Sequence, residues 1–172
     1  MRRGLIRRVV LVAALFSCNG WAAAAGPAAP PLSLPDLDGA NHRLQEWRGS
    51  VLVVNFWASW CPPCIHEIPD LVRFQARYAE RGLVVVGVGV DAVRPLGNVR
   101  RSLGINYPVL VLDEADSPAL LAEWGNHDGF IPYTVVVDRD GRVRYTHRGV
   151  LDGETFNEQV APLLAGSGEG QG

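Results

Sequence analysis

The chain has 172 residues, of which 48% are apolar, and its formal net charge at pH 7 is −2. This length and composition predict one domain with a substantial hydrophobic core and exclude a wholly disordered chain. All 16 basic residues are arginine, which excludes lysine-based catalysis, and the absence of a basic patch argues against nucleic-acid binding.

Residues 1–25 have the pattern of a secretory signal peptide. Arginines near the start are followed by an apolar run from Val9 to Phe16 and then by small residues with Ala-x-Ala character. Because the apolar run is too short to span a bilayer, we predict cleavage and export to the periplasm or another extracytoplasmic compartment. An uncleaved anchor is one alternative. A lipid anchor is another, because LFSC, ending at Cys18, is similar to the lipobox of bacterial lipoproteins.

The beginning of the mature chain predicts a linker, a small N-terminal extension and a buried strand. Residues 26–31 (GPAAPP) are rich in proline and alanine and predict a linker. Residues 32–50 have short apolar pieces around turn residues, which predict a hairpin or an extended strand. Residues 51–57 (VLVVNFW) show no alternation and predict a strand that is buried on both faces.

A helix and a second buried strand are predicted next. Pro62 and Pro63 suit only the first turn of a helix, where the backbone N–H groups have no partner inside the helix. Apolar residues continue at helical spacing to Tyr78, and Gly82 is predicted to end the helix. Residues 83–90 (LVVVGVGV) predict a strand parallel to the first one, given the handedness of such crossovers.

The second half of the chain predicts alternating helices and strands. The expected elements are a helix over 93–103, a strand over 109–112, a helix over 117–124, a hairpin over 133–138 and 142–148, and a helix over 154–164. Residues 166–172 are predicted to be a disordered tail. The sum is one α/β domain over 32–165, with a mixed central sheet that is flanked by helices and antiparallel at one edge.

Cys61 and Cys64 are the only cysteines outside the predicted signal peptide. In an oxidising compartment they can pair with each other or, transiently, with a partner. Since a disulfide across so short a loop constrains the unfolded chain little, a purely structural role is disfavoured.

The setting of the two cysteines favours redox chemistry. Cys61 lies at a predicted helix N-terminus, whose free N–H groups and positive dipole favour a thiolate. We therefore predict that Cys61 attacks and that Cys64, one turn later, resolves the mixed disulfide. Trp60, Pro62 and Pro63 are predicted to face the substrate beside the sulfur, and the two prolines also to stiffen the turn.

The segment VLVVNFWASWCPPCIHEIPDL resembles the active-site segment of the thioredoxin superfamily, and more closely that of TlpA/ResA-type thiol–disulfide reductases. The later segment GFIPYTVVVDRDGRV is similar to the second signature of the superfamily, with Pro132 at the position of its cis-proline. The resemblance implies a thioredoxin-like fold with N-terminal extension strands. It also implies a cis Ile131–Pro132 bond beside the cysteines and a backbone at Ile131 that pairs with an extended substrate. From the residues alone, Pro132 could be an ordinary residue at the start of a strand.

The resemblance also draws attention to Glu67. Thioredoxins usually carry a buried aspartate where this chain has Asn55, whereas TlpA/ResA-type proteins tend to have a glutamate at the position of Glu67. Cys64 and Glu67 are neighbours at i, i+3 on a helix, so this carboxylate could take the proton of Cys64. The alternative is a solvated helix residue. His66 is one place too late for a haem-attaching C-x-x-C-H motif and is expected on the exposed face.

These features predict an enzyme, a thiol–disulfide oxidoreductase that reduces exported proteins through Cys61 and Cys64 without a metal or cofactor. The reducing direction is what the resemblance implies, because Ile131 before the proline is similar to the reducing branches. The resemblance further implies a membrane thiol reductase of the DsbD/CcdA type as electron donor, with cytochrome c maturation as one role. A monomer that binds no nucleic acid is expected.

Two alternative functions use the same cysteines. One is a DsbA-like net oxidant, since the two prolines between the cysteines do not decide the direction of electron flow. The other is a Cu(I)-binding metallochaperone, because soft thiolates suit Cu(I), although Met1 is the only methionine. A peroxiredoxin-like peroxidase is disfavoured because Cys61 lacks the threonine and arginine setting that this reaction needs.

Overall fold

The structure, a computed structural model, describes residues 26–165. The predicted signal peptide, the alternative lipid anchor at Cys18 and the predicted tail over 166–172 lie outside the described residues. Across the described range, none of the helices has the length and apolar character needed to cross a membrane.

A mixed sheet of five strands forms the centre of the domain. The strands are β3 (Val51–Trp57), β4 (Leu83–Val90), β5 (Val109–Leu112), β6 (Tyr133–Val137) and β7 (Val143–Arg148). Their order in the sheet is β5-β4-β3-β6-β7. β3, β4 and β5 are parallel, whereas β6 is antiparallel to both β3 and β7. The predicted mixed sheet with an antiparallel edge is confirmed.

Helices cover both faces of this sheet, which explains why every residue of β3 is buried. The helices are α1 (Pro62–Tyr78), α2 (Val93–Ser102), α3 (Ser117–Glu123), α4 (Gly153–Gln159) and α5 (Ala161–Ala165). One face of the sheet packs against α1, α2, α4 and α5, and the other packs against α3 and the N-terminal extension. Two apolar layers therefore enclose the central strand, whose end leads to the two cysteines.

The residues at both ends of α1 explain its length. Cys61 is the N-cap and accepts a hydrogen bond from the backbone N–H of Cys64, and Pro62 begins the helix. A 3-10 turn, Ala79–Arg81, follows α1 and ends at Gly82, whose φ of 83° lies in the left-handed region that favours glycine. The predicted stop at Gly82 is confirmed.

The N-terminal extension forms a second, small sheet. β1 (Ser33–Pro35) and β2 (Asn41–Arg43) pair in antiparallel fashion, and a 3-10 helix, Leu44–Trp47, follows. The predicted hairpin is confirmed.

The stretch 26–31, which the sequence predicts as a linker, is part of the domain. The backbone N–H of Ala29 donates to the carbonyl oxygen of Gly141 (2.9 Å), and that of Val143 donates to the carbonyl oxygen of Pro27 (2.8 Å). The edge strand β7 offers unpaired backbone groups, which this extended stretch satisfies. Composition alone does not reveal such pairing.

The final helix also differs from the prediction. The sequence predicts one helix over 154–164, whereas the structure has α4 and α5, which are separated at Val160. Pro162 has no N–H to donate to the carbonyl group of Glu158, and its ring would collide with that carbonyl group. The hydrogen-bond pattern of α4 therefore cannot continue into α5.

Asp152 caps α4, because its carboxylate accepts a hydrogen bond from the N–H of Thr155 at 2.8 Å. Asp152→Ala removes this acceptor and is expected to lower the free energy of unfolding, because one N–H group of the first turn loses its partner. Urea denaturation measures the change. Glu158→Ala, at an exposed position of the same helix, is the control and should change stability by less than about 0.5 kcal/mol. An equal loss in both variants would contradict the capping role.

Candidate active site

Cys61 and Cys64 form a disulfide at the N-terminus of α1, with their Cα atoms 5.3 Å apart. A short loop after β3 brings Cys61 to the helix start, where the N–H of Cys64 lies 3.3 Å from the sulfur of Cys61. Cys64 is fully buried, whereas Cys61 retains 4% of its surface. A partner that approaches from solvent therefore meets Cys61 first.

The predicted substrate-facing residues surround Cys61. Trp60 is 61% exposed, and Pro62 and Pro63 are exposed on the first turn of α1. The Ile131–Pro132 peptide bond is cis, and the carbonyl oxygen of Ile131 lies 3.9 Å from the sulfur of Cys61. Ile131 is partly buried and Pro132 is buried. The fold thus joins two segments that are distant in the chain.

A cleft of about 390 Å³ begins beside Trp60 and Ile131. Much of its wall is apolar, with contributions from Val90, Pro118 and Leu121. Its other wall is the loop 126–131, which Asn126 holds in shape because its side chain donates to the carbonyl oxygen of Phe130 (2.7 Å) and accepts from the N–H of Phe130 (3.2 Å). The cleft is open to solvent and adjoins the disulfide.

Glu67 is fully buried one turn after Cys64, so the alternative of a solvated helix residue is wrong. Its Oε1 accepts a hydrogen bond from Nδ2 of Asn55 (2.8 Å), and its Oε2 accepts one from the N–H of Leu151 (2.9 Å). Burial raises the pKa of Glu67 from 4.5 to about 7, although both hydrogen bonds act to lower it. The carboxyl group can therefore gain or lose a proton near neutral pH.

The partners of Glu67 are the part of the site that sequence reasoning missed. Nδ2 of Asn55 also donates to Oγ1 of Thr134 at 3.0 Å, and both side chains are fully buried. A lone polar residue within the apolar strand YTVVV was a signal for Thr134. The N–H of Leu151 gave no signal, because any residue supplies one. His66 lies on the exposed face, as predicted.

The described part of the chain was also compared with the arrangement that a metal site needs. Between residues 26 and 165 no group of three or more His, Cys, Asp or Glu side chains could hold a metal ion. A copper site at this position would therefore rest on the two cysteine sulfurs alone.

The sequence of nearly the whole domain matches the model of a known protein family. The family model described as Redoxin matches residues 24–161, a range that contains both cysteines and Pro132. The chain belongs to the Redoxin family. The match also includes the stretch 26–31 that packs along β7.

Two curated relatives of this redoxin have a thiol–disulfide activity in their names. The chain is 29% identical over 173 residues to the thiol-disulfide oxidoreductase ResA of Geobacillus thermodenitrificans, covering 92% of this chain and 95% of the relative. It is 36% identical over 141 residues to the thiol:disulfide interchange protein DsbE of Allochromatium vinosum, covering 80% and 74%. The redoxin is a thiol–disulfide oxidoreductase of the ResA/TlpA-like kind.

A solved structure supports the fold. The redoxin superimposes on a thiol:disulfide interchange protein of the thioredoxin family from Chlorobium tepidum with a TM-score of 0.71 and 34% identity, covering 82% of this chain and 98% of the other. The predicted thioredoxin-like fold is confirmed.

Proposed function

We propose that this redoxin reduces disulfide bonds in exported proteins. The observation that carries the proposal is the buried carboxyl group of Glu67 beneath the buried Cys64, held by Asn55 and Leu151. A resolving thiol must lose its proton before it attacks, and a buried acid with a pKa near 7 can accept that proton at neutral pH. The reducing direction rests on the resemblance of the Ile131–Pro132 segment to the reducing branches.

The reaction begins with the reduced protein. The Cys61 thiolate attacks one sulfur of a substrate disulfide, a Cys61–substrate bond forms, and the other substrate sulfur leaves as a thiolate that takes a proton from water. Cys64 then passes its proton to Glu67 and attacks the sulfur of Cys61. The second substrate thiolate leaves and is protonated by water. Two electrons have moved to the substrate, and the protein holds the Cys61–Cys64 disulfide.

The surroundings of Cys61 suit an extended polypeptide. The substrate backbone pairs with Ile131, while its side chains pack on exposed Trp60 and enter the adjoining cleft. Exposed aromatic side chains supply large contact areas at small entropic cost, which favours a role for Trp60 in binding. Pro62 and Pro63 present a rigid, exposed surface on the first turn of α1, directly after Cys61.

The proposal also includes the compartment in which the protein acts and the source of the electrons that reduce its disulfide. The signal-like pattern of residues 1–25 supports export, with the lipid anchor at Cys18 as the alternative. After each turnover a membrane thiol reductase of the DsbD/CcdA type returns two electrons to the disulfide. Apocytochromes c, whose C-x-x-C-H motifs must be reduced before haem attachment, are one substrate class of this kind.

A trapping experiment tests the proposal. In Cys64→Ala the mixed disulfide on Cys61 cannot be resolved, so expression in the native host followed by mass spectrometry should identify exported proteins bound to Cys61. Cysteines of C-x-x-C-H motifs among them would point to cytochrome c maturation. Cys61→Ser with Cys64→Ala is the control and should carry no adduct. An absence of adducts on Cys64→Ala would contradict the proposal.

The direction of electron flow needs its own measurement on the same purified protein. Equilibration with glutathione should give a reduction potential below about −200 mV, in the range of reducing proteins. A value near about −120 mV, as in strong oxidants, would favour the DsbA-like alternative instead.

A further inference from the structure

Three buried polar atoms near Glu67 have no hydrogen-bond partner among the described residues. They are Oδ1 of Asn55, Nε1 of Trp57 and the hydroxyl oxygen of Tyr107. The side chains of Asn55 and Trp57 are fully buried, and that of Tyr107 is 5% exposed. Buried polar groups without partners are rare in proteins, so a cluster of three calls for an explanation.

The side chains of Trp57 and Tyr107 approach each other at Gly87, the residue that pairs with Asn55. Asn55 and Trp57 are two residues apart on β3 and therefore point to the same face of the sheet. Gly87 of β4 pairs with Asn55 in the parallel register. A Cβ atom on Gly87 would lie 3.0 Å from Nε1 of Trp57 and 3.2 Å from ring carbon Cε2 of Tyr107. Tyr107 thus reaches the residue that lies beside Asn55, the partner of Glu67.

The donors and acceptors of this cluster are complementary. Oδ1 of Asn55 accepts, Nε1 of Trp57 donates, and the Tyr107 hydroxyl does both. One buried water with about three hydrogen bonds can satisfy such a set. A water that donates to Oδ1 of Asn55 also polarises the amide and so strengthens the Nδ2–H bond to Glu67.

We propose that Tyr107 is a positioning residue for Glu67, acting through a buried water shared with Asn55 and Trp57 that stabilises the ionised carboxylate. The inference rests on the proposed function in so far as Glu67 serves there as the proton acceptor. Burial, and secondarily the charge of Glu67, raises the pKa of Tyr107. The hydroxyl therefore stays protonated and remains a donor at neutral pH.

Other ionisable groups face this cluster from two sides. On the inner side Cys61 and Cys64 of α1 are joined in a disulfide and do not titrate. The other groups on that side are uncharged: Asn55, Thr134 and the backbone of Leu151. On the outer side Tyr107 lines an open cleft of about 410 Å³ together with Asp36, Asp38, His42 and Arg100. The titration of Glu67 must therefore be separated from that of His42, whose pKa is raised by hydrogen bonds to Glu46 and Asp36.

Tyr107→Phe is the direct test, because it removes only the hydroxyl. The full-length oxidised protein is labelled with ¹³C at glutamate carboxyl groups, and the Glu67 signal is assigned by its loss in Glu67→Gln. We expect the titration midpoint of Glu67 to rise by about 0.5–1 pH unit in Tyr107→Phe, since a stabilising donor is lost. Tyr145→Phe, whose hydroxyl contacts Nδ1 of His147 on β7 (3.2 Å), is the control and should leave the midpoint unchanged.

Two further measurements distinguish a positioning role of the Tyr107 hydroxyl from a change in packing caused by Tyr107→Phe. In wild type, NMR should show a contact between a long-lived water and the indole N–H of Trp57, and this contact should disappear in Tyr107→Phe. The effect of Tyr107→Phe on the pH profile of disulfide exchange should vanish in a Glu67→Gln background. An unmoved Glu67 midpoint, a missing water contact in wild type, or an effect that persists without Glu67 overturns the proposal. The titration of Glu67 and the water contact of Trp57 are measured without catalytic turnover. Their results therefore do not depend on whether the protein is active in the reductase assay.

Discussion

Cys61→Ser is expected to abolish thiol–disulfide exchange, lowering the rate of protein-disulfide reduction by at least about 10³-fold. Cys61 is the sulfur that a partner meets first, since Cys64 is fully buried behind it. A serine hydroxyl is not ionised at neutral pH and forms no mixed disulfide. The assay follows reduction of a fluorescent model disulfide by the pre-reduced protein.

Cys64→Ser is the matched control for this prediction. It should keep the initial attack and form one mixed disulfide per molecule, which mass spectrometry detects, but it should not complete the turnover. The opposite pattern, with attack lost in Cys64→Ser and kept in Cys61→Ser, would reverse the assigned roles.

Glu67→Gln is expected to remove a pH dependence of stability near neutrality. Burial raises the pKa of Glu67 from 4.5 to about 7, so between these values the folded protein binds the proton that the unfolded chain releases. The stability that comes from this proton is complete below about pH 4.5 and is lost as the pH rises through about 7. The loss amounts to about 3 kcal/mol in total.

Urea denaturation of the oxidised protein between about pH 5 and pH 8 measures this effect. Wild type should lose stability with rising pH, whereas Glu67→Gln should show a flatter profile. The glutamine amide has one acceptor oxygen, so it cannot serve both Asn55 and Leu151, and a constant loss of about 1–3 kcal/mol is expected besides. The slope of the unfolding free energy against pH, and not its absolute value, therefore tests the prediction. Glu158→Gln, at an exposed position, should keep the wild-type slope, and an unchanged slope in Glu67→Gln would contradict the prediction.

The same variant should slow catalysis, because the resolving thiol loses the proton acceptor that we propose for it. We expect the resolving step to become about 10²-fold slower near pH 7, with the attack of Cys61 unaffected. Stopped-flow detection of an accumulating mixed disulfide checks this part of the prediction.

The central strands and the cysteine pair followed from the sequence. Residues 51–57 and 83–90 are β-branched and apolar runs without alternation, a pattern that is typical of strands covered on both faces. The start of the helix at Pro62 could also be predicted, because proline is tolerated in the first turn of a helix. The spacing of the two cysteines then places both of them on that turn. These features depend on local chemistry, which a sequence records directly.

Two other parts of the fold differ from the prediction, one through a contact between distant segments and one through a local effect of proline. The stretch 26–31 has the composition of a linker, yet it pairs with the edge of β7 because that edge has free backbone groups. The break between α4 and α5 followed from Pro162, whose local effect the helical spacing concealed.

For the active site, the sequence by itself determined which two sulfurs react and which carboxyl group lies one turn away. Only the tertiary structure decided what that carboxyl group can do. Glu67 titrates near neutral pH because the packed domain removes water from it and brings to it Asn55, 12 residues away, and the N–H of Leu151, 84 residues away. Burial and long-range hydrogen bonds arise when the whole chain folds, so no local pattern specifies them.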